Sequence, residues 1–256
     1  MTTAAVVVSA SALAEAFGPL WGALIATLPV SSGPAYVFLA LQHDAGFVAA
    51  CALSSYATNA ATGVYLVLYA RLARTRSLVI SLGSALFGWF AVALLALQIE
   101  WTPWTATLLN LIVYTAAYWL LKDVFQATIT PLPVKAARWF DLPARAVAVA
   151  GFVTFVVLAS NALGPEATGI AAVFPITFTS LLIILNPRIG GPTTALLAAN
   201  AVQAMIGFGL MLLVLHLTFE PWGAIASLLT ALAVSLAWSV GMLATKGRLK
   251  RRSVAS

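Results

Sequence analysis

The chain has 256 residues, of which 62% are hydrophobic and only 8% charged, and its mean hydropathy is +1.02. A water-facing domain carries about 25% charged residues, so this composition excludes a soluble globular protein and predicts an all-α polytopic membrane protein. The net charge of +6 does not mark a nucleic-acid binder, because no basic patch is interleaved with aromatic residues. A lone Cys51 excludes an intramolecular disulfide and a thiolate metal site.

Apolar runs bounded by polar or turn residues predict about nine transmembrane helices, at 4–17, 20–41, 46–70, 78–97, 104–121, 146–163, 168–185, 193–217 and 223–244. The first resembles a signal peptide with an Ala-x-Ala end, yet it has no positive n-region and is expected to stay as a short span. Residues 122–145 form a mixed-charge loop holding Pro131, Pro133 and Pro143, whose stretch 134–140 reads as an amphipathic interfacial turn. Trp101, Trp104, Trp119, Trp139 and Trp222 fall at span ends, as interface anchors do.

With an N-out/C-in arrangement every Lys and Arg falls on the cytoplasmic side, in 71–77, 122–145, 186–192 and the tail after Thr245. The opposite loops hold Asp44, Glu100, Glu166 and Glu220. That is the positive-inside pattern.

A shift of 146 residues lays Gly18-Pro19 on Gly164-Pro165, Pro29 on Pro175 and Gly63 on Gly209. Each of these matches marks a backbone event rather than an apolar filler. The reading is two inverted four-helix repeats, 1–99 and 146–245, joined by a central helix within 100–145 and followed by a basic cytoplasmic tail, 246–256. Inverted repeats suit alternating access, in which one bundle rocks against the other around a shared midplane site.

The second half carries Ala159-Ser160-Asn161, Gly169 with Phe174-Pro175, and Ser235-Leu236-Ala237-Trp238. In these residues it resembles the GlpM family of small four-span bacterial inner-membrane proteins. The resemblance covers 145–244 and more faintly the first half through Pro29, whereas this chain has two such units and a joining span. It implies the four-span unit, a bacterial inner (cytoplasmic) membrane location and an association with exopolysaccharide production.

The stretch 168–200 holds the candidate binding residues. Pro175 interrupts its apolar run and Thr177, Thr179 and Ser180 follow, while Pro29 is followed by Ser31 and Ser32. Carbonyls freed by these prolines, with the hydroxyls beyond them, either meet a solute or are satisfied by neighbouring helices. Asn200 and Gln203 share a face of the eighth span with Thr193 and Gly207, and Asn59 shares one of the third with Ser55 and Thr62. Amides in lipid face inward; those three are read as lining a cavity, and Ser55 and Thr62 as packing contacts. Thr107, Asn110, Tyr114 and Tyr118 run down one face of the fifth span and turn it into the bundle. Ser77, Ser81, Ser84 and Gly88 form a small-residue stripe for helix packing.

Glu15 is the one carboxylate near a span interior, a candidate proton carrier if buried and otherwise a solvated interfacial group. Neither His43 nor His216 has the companions a metal site needs. No Walker loop, Ser/His/Asp set, intramembrane carboxylate cluster or Arg-rich span occurs, so no enzyme activity, cofactor or metal is expected. The resulting expectation is a small secondary transporter or facilitator of a small neutral or weakly anionic solute, working in the lipid bilayer, in one form as a homodimer. The alternative is a non-catalytic scaffold for envelope or exopolysaccharide machinery.

Overall fold

The computed structural model describes residues 32–125 and 141–254, and within them every regular element is helical. In chain order these are α1 (Ser32–Gln42), α2 (Ala45–Leu72), α3 (Leu78–Ala96), α4 (Pro103–Leu120), α5 (Lys122–Phe125), α6 (Asp141–Ala172), α7 (Ile176–Ile189) and α8 (Gly191–Val254). The first span, the second as far as residue 31, and the stretch 134–140 lie outside the described residues, and with them Glu15, Pro29 and Ser31.

Helix α2 is the axis of the bundle and packs against α3, α4, α6 and α8. Asp44 caps it by accepting from the Phe47 amide at 2.8 Å, and no proline interrupts its 28 residues. At 1.5 Å per residue it is about 42 Å long, more than a bilayer's hydrocarbon core. It is also the polar helix: Ser54, Ser55, Thr58, Asn59 and Thr62 are all buried. Polar side chains in an apolar solvent need protein partners, so the helix that carries them goes to the middle.

Leu78–Ala96, Pro143–Ala172 and Gly191–Met242 are long and apolar enough to cross a membrane, and the first two are mostly exposed along their apolar stretches. On α3, Val79 is 80% exposed and Phe87 77%, an outward apolar face that water would disfavour.

Two glycines divide the longest helices. Gly164 (φ 75°) and Gly223 (φ 74°) adopt backbone that side-chain-bearing residues avoid, and they split α6 and α8 into two arms each. After Gly164, α6 runs only to Ala172, and the chain breaks at Phe174-Pro175 before α7 begins. The predicted seventh span is therefore two unequal half-helices.

The first arm of α8 lies antiparallel to α2. Tyr69 donates to Thr194 at one end (3.1 Å), Asn59 to the Met205 carbonyl in the middle (3.1 Å), and His216 Nδ1 meets the Ala49 carbonyl at the other (2.8 Å). Close backbone approach needs glycine. A Cβ on Gly191 would land on the Ala73 carbonyl oxygen, and one on Gly169 on that of Cys51.

Charge separates along α2. Arg71 and Arg74 both bind Asp123 of α5 at its C-terminal end. At the other end the Asp44 and Glu220 carboxylates flank Gly46. Desolvation pushes the Asp123 pKa up, but the Arg74 hydrogen bond and the charges of Arg71 and Arg74 outweigh it and hold the carboxyl below its ordinary value. The three side chains are 36–49% exposed, so the cluster contributes about 0–1 kcal/mol.

Two outcomes are expected. Gly191→Ala destabilises the protein by about 1–3 kcal/mol through overpacking against backbone, seen as a lower melting temperature in detergent micelles. Asp123 stabilises the fold above its unfolded pKa, and this contribution is lost as pH falls through the depressed folded value. Melting curves of wild type and Asp123→Asn should accordingly differ at neutral pH and converge in acid.

Candidate functional site

The break at Pro175 shows where freed carbonyls go. Pro175 starts α7 with no side-chain cap and has no N–H to give back to α6. The Ala172 carbonyl accepts instead from Ser32 of α1 at 3.1 Å, and the Ala171 carbonyl from the Phe174 amide at 3.0 Å. The short arm of α6 is tied to α2 in the same way: Cys51 donates to Pro165, Ser54 to Glu166 and Ser55 to Gly169, all at carbonyl oxygens. Beyond the break, Thr179 shares a 3.1 Å bond with Tyr65, and Ser180 donates to the Thr177 carbonyl at 3.1 Å. The Thr177 hydroxyl is buried without a protein partner.

Asn200 donates to Leu196 of its own helix at 2.9 Å. Gln203 is half-buried, and its main-chain carbonyl accepts from Trp238 at 2.9 Å. The hydrogen bonds thus gather Ser32 with the proline break. They bring Asn59 and Asn110 together at a second place.

That second place lies where α2, α4 and the first arm of α8 meet. Thr102 and Thr105 cap α4 reciprocally, with Pro103 in its first turn. Two turns on, Asn110 Nδ2 donates to the carbonyls of Tyr56 (2.8 Å) and Ala106 (2.9 Å). Asn59 Nδ2 donates to Asn110 Oδ1 and to the Met205 carbonyl, each at 3.1 Å. Tyr114 closes the group by donating to the Asn59 carbonyl at 2.9 Å, and Tyr56 donates to Thr107 at 3.2 Å. Gly209 makes room for the amide, since a Cβ there would stand 2.8 Å from Asn59 Nδ2.

Both amide nitrogens have their two acceptors, which fixes the amide orientations: flipping Asn59 would press its oxygen against two other oxygens. One group is left over. Asn59 Oδ1 is buried and has no partner in the protein. Asn59 is one of the residues around a cavity of about 390 Å³, with Tyr56, Asn110, Tyr114 and Tyr118.

The fifth-span face of Thr107, Asn110, Tyr114 and Tyr118 therefore meets the cavity as a face, as its helical spacing implies. Tyr56, three residues before Asn59, was open to the same argument. Met205 was not, because a main-chain carbonyl gives no pattern to read, and Gly209 stood out only as the match of Gly63 in the 146-residue shift.

His43 bonds Ser160 at 2.6 Å, and among the described residues no three His, Cys, Asp or Glu gather as a metal site. Comparison with family models, curated proteins and solved structures finds no match.

Replacing Asn110 by Leu leaves one Asn59 donor buried and unbonded, an expected cost of about 1–3 kcal/mol. Tyr118→Phe, at a 54% exposed ring, should leave stability unchanged. Denaturation of both variants in micelles checks the contrast.

Proposed function

We propose that the chain is a multi-pass protein of a bacterial inner membrane, N-out/C-in, in which two inverted repeats carry a small solute across by alternating access. One hydrogen bond supports this reading best. Asn59 and Met205 are themselves 146 residues apart, so a position in the first repeat touches its own counterpart in the second. Two copies related by a two-fold axis in the membrane plane meet in that way on the axis.

Element boundaries agree with the same shift. The start of α2 at residue 45 maps to 191, where α8 starts. The start of α3 at 78 maps to 224, just past the Gly223 break. The end of α1 at 42 maps to 188, one residue before α7 ends. Antiparallel packing of α2 on the first arm of α8 is what inversion requires. The Arg71 and Arg74 end is the cytoplasmic one by the positive-inside rule, and the Asp44 and Glu220 end faces away.

In this reading the interrupted segment of α6 and α7 is the moving part. Its backbone bonds to neighbours through single side chains, which can exchange partners as one repeat rocks, whereas a continuous helix cannot bend so cheaply.

The orientation test uses single cysteines in a Cys51→Ala background. Gly46→Cys and Pro192→Cys, at exposed counterpart positions, should react with an impermeant maleimide from opposite faces of the membrane; labelling from one face removes the inverted repeat. In proteoliposomes Pro175→Ala should abolish solute flux while the protein still purifies as wild type does, and undiminished flux would remove the moving segment.

A further inference from the structure

We propose that the groove between α4 and the first arm of α8 holds an anionic phospholipid of the cytoplasmic leaflet, with its tail along α4 and its phosphate at Lys122. This rests on the bilayer placement and orientation proposed above, and on neither the repeat nor transport.

The cavity of about 390 Å³ is open on one side. Leu111 and Tyr118 on its α4 wall are 63% and 54% exposed, and Leu210 of α8 is exposed as well. In a bilayer that side meets lipid.

Polarity changes along the groove. Toward its middle, Asn59 and Asn110 are buried and each amide nitrogen is already bonded twice within the protein. The walls there are Leu111, Ile206 and Leu210. Toward α5, Thr115 and Tyr118 are exposed, and among the described residues neither hydroxyl has a protein partner. One helical turn past Tyr118 comes Lys122. An occupant matching this order is apolar at the midplane, accepts hydrogen bonds nearer the surface and is anionic at its end. A phospholipid has that order: acyl chain, ester oxygens, phosphate. The lengths agree too. From Asn110 to Tyr118 the helix rises about 12 Å, against about 15 Å for the hydrocarbon of one leaflet.

The charge lies at the matching end. The Phe125 ring of α5 is 5.8 Å from that of Tyr118, which sets α5 at the end of the groove. The Lys122 ammonium sits 5.7 Å over the Trp119 ring, and among the described residues it has no carboxylate partner. Arg71 and Arg74 share one carboxylate, Asp123. Three cations thus stand against a single anion. Cations beside a cytoplasmic surface attract anionic lipid, whereas phosphatidylcholine has no net charge to answer them. A soluble anion could use the cations but would leave the apolar walls of the groove uncovered.

The test uses full-length protein in micelles with equal amounts of phosphatidylglycerol and phosphatidylcholine of the same chains, and native mass spectrometry reads the lipid retained. A single surface cation is worth about fivefold in affinity, and phosphatidylglycerol should be preferred by at least that. Lys122→Gln should cut the preference about fivefold. Lys250→Gln, the same charge change in the basic tail, should leave it intact. Leu111→Trp fills the groove from an exposed position and should release the lipid with an unchanged melting temperature.

Equal retention of the two lipids, equal losses in Lys122→Gln and Lys250→Gln, or undiminished retention by Leu111→Trp overturns the site. So does displacement by inorganic phosphate beyond that by chloride at the same ionic strength, which would mark a site for a soluble anion. Preferential retention with cysteines labelled from one face would sink the inverted repeat alone. Labelling from opposite faces without lipid preference would sink this site alone.

Discussion

One constraint organises this molecule: where water is excluded, a main-chain carbonyl or an amide must find its partner inside the protein. The short arm of α6 cannot continue past Phe174-Pro175, and its carbonyls would be stranded. Side chains of α1 and α2 reach them instead, from Ser32, Cys51, Ser54 and Ser55. The most polar helix is thereby drawn to the centre of an otherwise apolar bundle. Its placement explains why α3, which has few polar groups to satisfy, is left on the outside.

The same rule acts with a different result at the asparagine pair. Two amides and two tyrosines join three helices, and their bonds close on one another until a single oxygen, Asn59 Oδ1, is left. Each amide nitrogen in this network has two acceptors within the protein, and the one acceptor left over is itself buried. Asn59 bonds at the midpoint of the α2 and α8 crossing, flanked by the Tyr69 and Ala49 contacts toward either end.

Glycine permits the crossing. Gly191 and Gly169 let backbone touch backbone, and Gly209 lets an amide touch a helix surface. Between helices in lipid there is little hydrophobic drive, and close packing with interhelical hydrogen bonds supplies the association instead. The conspicuous apolar residues of this chain face outward and contribute little to holding helices together.

Composition and periodicity were enough to indicate an apolar chain that is helical throughout its described elements, with breaks at Gly164 and Pro175, and to turn the Asn110 face inward. These are local properties: hydropathy needs only a window, and a proline or glycine acts on its own backbone. They did not show that Ser32 answers the Ala172 carbonyl, or that Asn200 turns back on its own helix while Asn59 reaches Met205. Those outcomes depend on which helix lies opposite and at what height. Three helices must be assembled before it is settled which amides pair and which single oxygen goes without, so that much belongs to the tertiary structure alone.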